Sequence, residues 1–483
     1  MRWRVLTICL ALLVVVPPAA WGQALSPKAR GHYEKALQFS ERKNWQGAVL
    51  ELKRALAYEP KNASLFIELG VAFGELGLWQ DAIQAHRKAV ELAPKSPRAH
   101  YNLGVSLDGA RPGRGEGAEA FREALRLEPK DVNSLVNLAV DLGDQDAAEA
   151  KRLLDRALEL EPGSAKAHFN LGLLLRNAQE HKEAVEHLRK AVTLAPELME
   201  ARKQLISLLV LQEQWEEASR LCEEVLKREP DNWDTRYTYG QTLIRRGKIE
   251  EGRAELQRSQ QARQLQQKQE EAKRLVGLGV ASLKNGEVEE GLKNFGEALQ
   301  ADSSSGEAQM YLGLALASKG QFAEAIEALN KAIHLDPASA RAHHNLGTVL
   351  LQAGKVGLAT QELQAALKLD PYFPETHNNL GLLFSKSGES AKAIEHFQLA
   401  SEIDPRYVEA FFNLGLALRV ANRIEEAAEA FRRAADLSPN NPQLQFALGM
   451  ILKDKGDLKG SQEALSRAEA LRKQQTPGPN GSR

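Results

Sequence analysis

The sequence predicts an all-α fold built as a stacked array of helix pairs. Three observations carry that prediction. Pro337, Pro371, Pro405 and Pro439 stand 34 residues apart, and each closes a near-copy of one phrase. Inside the phrase, His344-Asn345-Leu346-Gly347 is followed at the same interval by Asn378-Asn379-Leu380-Gly381 and Phe412-Asn413-Leu414-Gly415. A second half-phrase repeats as well, with Ala393, Phe397 and Ala400 echoed by Ala427, Phe431 and Ala434. Two helical half-units at a fixed period mark an array in which each unit buries its apolar face only against its neighbours. Such an array lets 483 residues fold without the single core that stops growing beyond ~250–300 residues.

Residues 1–22 differ from all that follows. Arg2 and Arg4 precede an apolar run from Val5 to Val16, and Pro17, Pro18, Ala19 and Ala20 lead into Trp21-Gly22. This pattern reads as a secretory signal peptide, cut after Gly22 or after Ala20, in a run short for a bilayer span. An uncleaved anchor is the alternative. Cys9 lies within the run behind Ile8, which is not the setting of a lipid-modified cysteine. The expected mature protein is extracytoplasmic, secreted or periplasmic. Loss of Arg2 and Arg4 takes the formal charge from -1 to -3, a balance that excludes a concentrated basic field and so argues against nucleic acid. Cys222 then has no partner for an internal disulfide, and its place on an apolar helix face predicts a buried, inert thiol.

The repeats follow in order. The first ends at Pro60 and the second at Pro94. The third ends one residue late at Pro129, because Gly109 to Gly115 enlarges its internal turn; the fourth ends one residue early at Pro162. The fifth and sixth end at Pro196 and Pro230, and Trp233 opens the seventh. No proline then follows until Pro337, five residues beyond three periods. The surplus lies in residues 253–274, rich in Gln, Glu, Arg and Lys, which read either as an extended helix or as a mobile polar joint between sub-arrays 23–252 and 275–471. Helix propensity favours the former. Repeats eight and nine lead back into the regular run, the thirteenth ends near Leu471, and 472–483 is expected to be a disordered tail. The expectation is thirteen repeats and 26 helices. Within each, the Leu-Gly glycine is expected to let the paired helix approach closely, and the recurrent proline to end the second helix.

This pattern resembles the tetratricopeptide repeat family from about Ala29 to Leu471. His377, Leu380, Gly381, Ala393, Phe397, Ala400 and Pro405 carry the match in one repeat. Departures are Ile206 and Ala139 at the first-helix glycine, Gly252 and Gly291 at the second-helix alanine, and the Gln-rich insertion. The resemblance implies a right-handed superhelix of helix-turn-helix units whose first helices line an inner groove. It also implies binding of a protein or peptide there, and seldom any chemistry.

The residue before Leu-Gly is the candidate site. It is Asn102, Asn137 and Asn170 in repeats three to five, and Asn345, Asn379 and Asn413 in repeats ten to twelve. An amide both donates to and accepts from a peptide backbone. With Leu and Gly directed at the helix pair, these amides are expected on the inner surface, holding an extended peptide; family members that resemble this pattern use an asparagine ladder in that way. Phe169 and Phe412 precede two of them and are candidate anchors, with Tyr372, Phe373 and Tyr407 nearby. The competing reading is solvated asparagine and core aromatics. His32, His100, His168, His343 and His377 share one register position, yet no metal-ligand spacing accompanies them, so packed histidines are expected, and neither metal nor cofactor. The Gly109–Gly117 stretch lacks a phosphate-loop ending, and no enzyme is expected. The two function classes are a peptide-gripping binding module and a structural spacer docking folded partners on its outer face.

Overall fold

A computed structural model describes residues 25–111, 114–143 and 145–475. The expected signal peptide, Pro112 and Gly113 of the enlarged turn, and the tail from Thr476 lie outside the described residues. Among those residues there are 25 α-helices and no strand. The chain divides into two compact bodies, Met1–Gln266 and Gln267–Arg483.

Each repeat is an A helix followed by a B helix. In the first body the pairs are Pro27–Glu41 with Trp45–Tyr58, Ala63–Glu75 with Trp79–Leu92, and Pro97–Ala110 with Ala118–Leu127. Val132–Leu142 with Ala147–Leu160, Ala165–Asn177 with His181–Leu194, and Met199–Leu211 with Trp215–Arg228 follow. Helix A of repeat 7 is Trp233–Arg245. In the second body, helix B of repeat 8 is Val288–Ala301. It is followed by Gly306–Ser318 with Phe322–Leu335, Ala340–Gln352 with Val356–Leu369, and Pro374–Lys386 with Ser390–Ile403. Val408–Val420 with Ile424–Leu437 and Pro442–Lys455 with Leu458–Gln475 complete it.

The count differs from the expected 26 for one reason. Helix B of repeat 7 and helix A of repeat 8 are fused into Ile249–Lys284, 36 residues without a break. The Gln-rich stretch is therefore helical throughout, about 54 Å long at 1.5 Å per residue. The division between bodies falls within it, at Gln266, inside the expected insertion. At the other end, helix continues through Gln475, so Arg472 to Gln475, expected in the tail, form the last turn of repeat 13.

Local chemistry explains where the helices begin and end. The closing proline is followed two residues later by a capping side chain: Pro162-Gly163-Ser164 and Pro337-Ala338-Ser339 each place a hydroxyl that accepts the N–H three residues on. Asn62, Asp131 and Asn232 do the same after Pro60, Pro129 and Pro230. Between A and B the chain passes through a left-handed residue, Gly354 at φ 74° and Gly388 at φ 77°. That conformation is nearly free of cost only for glycine.

The A–B crossing follows from the Leu-Gly glycine. A Cβ on Gly381 would lie 2.6 Å from the Phe397 ring, and one on Gly104 would lie 2.6 Å from Phe121. Phe121, Phe295, Phe397 and Phe431 are fully buried in this slot. Repeat 7 takes the approach further. With Gly240 and Gly252 on facing helices, a Cβ on either would meet the other's carbonyl oxygen, at 2.9 and 2.6 Å. In repeat 2 the slot holds His86 instead, against Gly70.

Candidate functional site

Within each body, successive A helices touch one another more closely than successive B helices do: repeat 2 with 3 and 4 with 5 in the first, repeat 9 with 10 and 11 with 12 in the second. The A helices thus lie on the inner side of the stack in each body. Their inward residues form the candidate binding face.

This close approach decides the fate of the asparagines. Asn102, Asn170 and Asn345 are buried, whereas Asn137, Asn379 and Asn413 are half-buried. Asn102 and Asn170 turn back onto their own helix, donating from Nδ2 to the carbonyls of Arg98 (2.8 Å) and Lys166 (2.9 Å). Asn137, Asn379 and Asn413 reach across to the preceding repeat instead. Their Nδ2 groups donate to Tyr101 Oη at 3.4 Å, Thr348 Oγ1 at 3.0 Å and Asn378 Oδ1 at 2.9 Å. An amide has two donor hydrogens and an acceptor oxygen, so each of these bonds uses part of its capacity. The rows are narrower than spacing alone implied, because a neighbouring A helix covers part of each amide.

The aromatic candidates are also partly enclosed. Phe169 packs against the core of repeats 4 to 6, and Phe412 meets Phe431 edge-on at 5.7 Å between ring centroids. Phe373 stacks on His344 at 4.6 Å. Tyr407 hydrogen-bonds with Asn378, and burial pushes its hydroxyl up to about 12. Tyr407, Asn378 and Asn413 therefore form one chain of hydrogen bonds joining repeats 11 and 12.

Sequence spacing did not single out the apolar residues beside this chain. Leu382 and Leu416, three residues after Asn379 and Asn413, are exposed, and so are Val420 and Phe446. Residues three and four apart share a helix face. The last three repeats thus present an apolar strip, flanked in repeats 11 and 12 by amides. Glu375 and Glu409 stand exposed near the start of these A helices, and Lys386 and Lys453 near their ends. The signal for the strip was present, as leucine directly after the glycine, but apolar letters in a helix ordinarily mean core.

The histidines are packed, with two hydrogen bonds in several cases. His86 joins Ser106 Oγ (2.8 Å) to the Ile67 carbonyl (3.1 Å), and burial pushes it down to about 4. His344 bonds Thr376 Oγ1 at 2.8 Å and is likewise lowered by burial to about 4. Among the described residues, no group of three or more His, Cys, Asp and Glu is arranged to hold a metal ion. Cys222 is buried and free, its thiol pushed up to about 12 by burial.

A carboxyl pair, Asp108 of helix A in repeat 3 and Asp141 of helix A in repeat 4, lies beside the enlarged turn. Asp108 Oδ1 accepts the Gly117 N–H at 3.0 Å, tying helix A of repeat 3 to the start of helix B. Burial, followed by the charge of Asp108, pushes Asp141 up to about 8. Both carboxyls are raised by burial, so the pair favours holding one proton, with Asp141 as donor toward Asp108.

Helix pairs on a 34-residue period with an amide and apolar inner face define a class, the helical-repeat scaffold for protein interaction. Models of the tetratricopeptide repeat match residues 33–97, 68–132, 133–198, 378–442 and 209–277, and a TPR repeat model matches 313–354 and 347–388. The chain belongs to the tetratricopeptide repeat family. No curated protein matches it. Among solved structures, the Cut9–Hcn1 hetero-tetramer of the APC/C is similar at 16% identity over 95% of each chain, with TM-score 0.39. MamA is similar at 28% identity over 33% of this chain and 94% of its own, with TM-score 0.30. YrrB, described as a TPR protein with an unusual peptide-binding site, aligns at 20% identity over 38% and 93%, with TM-score 0.32. These overlaps are too loose to transfer a function. Among the described residues, no helix is long and apolar enough to cross a membrane.

Proposed function

We propose that this protein-interaction scaffold acts outside the cytoplasm and grips an extended polypeptide segment along the A helices of its last three repeats. The observation that carries this reading is the pairing of two unlike strips on one face. Asn379 and Asn413 offer hydrogen bonds to a peptide backbone, while exposed Leu382 and Leu416 offer apolar contact to its side chains. A backbone read by amides and anchored by apolar side chains suits an extended segment better than a folded surface. The signal-like residues 1–22 support the extracytoplasmic setting. Asn102, Asn137 and Asn170, with Phe169, form the second and more enclosed candidate row.

The test places a photo-crosslinking residue at position 416 on the inner face, or at position 369 on the outer one, in cells making the full chain. Crosslinks from 416, weakened about tenfold when Asn379→Ala and Asn413→Ala are combined, support the reading, that loss being ~1.4 kcal/mol. Crosslinks from 369 alone, beside exposed Leu335 and Leu369 of the B helices, point instead to a spacer that docks folded partners. Mass spectrometry of the exported chain checks the setting; an N-terminus at Met1 overturns cleavage.

A further inference from the structure

One register position of helix A faces one position of helix B nineteen residues later, and the chain fills the two jointly. A basic side chain faces glutamate there in three repeats: His32 with Glu51, Arg236 with Glu255 and His343 with Glu362, each at 2.7 Å. Where the first position is Phe66, Gln309, Phe411 or Gln445, the second is Ala85, Ala328, Ala430 or Ala464. Repeats 5 and 11, one in each body, set histidine against histidine at this position. His168 Nδ1 lies 3.0 Å from His187 Nδ1, and His377 Nδ1 lies 2.9 Å from His396 Nδ1.

The second ring nitrogen fixes the protonation state of each couple. His168 Nε2 is 3.1 Å from the Pro162 carbonyl, and His377 Nε2 is 3.0 Å from the Pro371 carbonyl. A carbonyl only accepts, so both Nε2 atoms carry hydrogen, and in a neutral ring Nδ1 is then bare. His187 and His396 must donate to it through their own Nδ1–H. Each couple thereby ties three parts together: the closing proline of the preceding repeat, helix A and helix B.

We propose that the His168–His187 and His377–His396 couples are proton-operated joints, closed when neutral and opened by acid, within repeats 5 and 11. A proton on the outer Nε2 of His187 or His396 leaves the bridge intact. A further proton between the rings sets two N–H groups and two positive charges about 3 Å apart, and the bridge is lost.

The surroundings favour the neutral form. Burial lowers His168 and His377, and burial followed by the facing ring lowers His187 and His396. Lys190 acts in the same direction on His168 and His187, while Asp155 of the preceding B helix and Glu186 oppose it at His187. Asp370 and Glu395 oppose it in repeat 11, where Phe384 stacks on His396 at 5.3 Å and adds no charge. With folded values below the ordinary 6.5, the stabilisation is complete above that value and lost as pH falls through the lowered ones.

The chain itself supplies the control, because glutamate is already accommodated opposite a histidine at this position. Hydrogen exchange of the full chain is followed from about pH 7.5 to about pH 4.5, scaled for the intrinsic rate, in wild type and in His187→Glu/His396→Glu. Peptides from 165–194 and 374–403 of the wild type are expected to open about tenfold more in acid than peptides from 306–335, which carry no couple, tenfold being one unit of differential protonation. The double variant is expected to lose that excess. Equal opening in all three segments, or an excess that survives in the variant, overturns the proposal. Nitrogen NMR of labelled histidine in the wild type gives a reading independent of the variant's folding. Bare Nδ1 on His168 and His377 at neutral pH is required, and Nδ1-protonated neutral rings there overturn the assignment.

Discussion

At the scale of single residues, the molecule depends on side chains that no ordinary substitution preserves. Gly381 is the plainest, since a methyl there must displace a fully buried phenylalanine ring. Gly381→Ala is expected to destabilise by ~1–3 kcal/mol, as overpacking does, read as a lower denaturant midpoint. The Asp108–Asp141 pair makes a prediction with a definite sign. Asp141 is raised from 3.8 to about 8 on folding, so its protonated form belongs to the folded state. Stability is fully present below the unfolded value and is lost as pH rises through about 8. Asp141→Asn keeps a donor toward Asp108 and removes the titration. Thermal melts of this variant are expected to exceed wild type near pH 8 and to lose that advantage near pH 4.

At the scale of elements, the unusual feature is the helix Ile249–Lys284. From Gln260 to Glu271 only Ala262 is even half-covered, so this stretch draws little from packing. Its own chemistry holds it: Gln, Glu, Lys and Arg propensity, the Glu271–Arg274 pair at 2.6 Å, and Arg263 over the Trp233 ring at 5.1 Å. Ser259 Oγ also donates to the Trp233 carbonyl at 2.7 Å. Gln264→Pro costs ~3 kcal/mol of helix here, with little packing to compensate. Limited proteolysis is expected to cut the variant within 260–271 and to spare the wild type; equal cleavage of both contradicts a stable helix.

At the scale of the whole molecule, each repeat is stabilised by its neighbours, so the ends matter more than their length suggests. Ala434, Ala435, Phe411 and Phe412 are packed beneath Leu444 and Leu448 of repeat 13. A chain ended after Pro439 leaves that surface bare. It is expected to bind more of a hydrophobic dye and to self-associate more on a sizing column than the full chain. Much of the architecture was legible from the letters: thirteen repeats, the close glycine crossing and the buried Cys222. The candidate site was legible in outline only. Its amides were found, but not that Asn345 is covered while Asn379 and Asn413 reach the preceding repeat, nor that leucines stand exposed beside them.

The division has a physical cause. Helix ends, A–B pairing and the glycine–phenylalanine crossing arise within some twenty residues of chain, where a 3.6-residue period and a proline every 34 positions leave one solution. These the sequence determined by itself. How far neighbouring A helices cover an amide, and whether two histidines nineteen residues apart meet nitrogen to nitrogen, depends on distances between separate helices. Those are set by the side chains packed between them, and only the tertiary structure decided them.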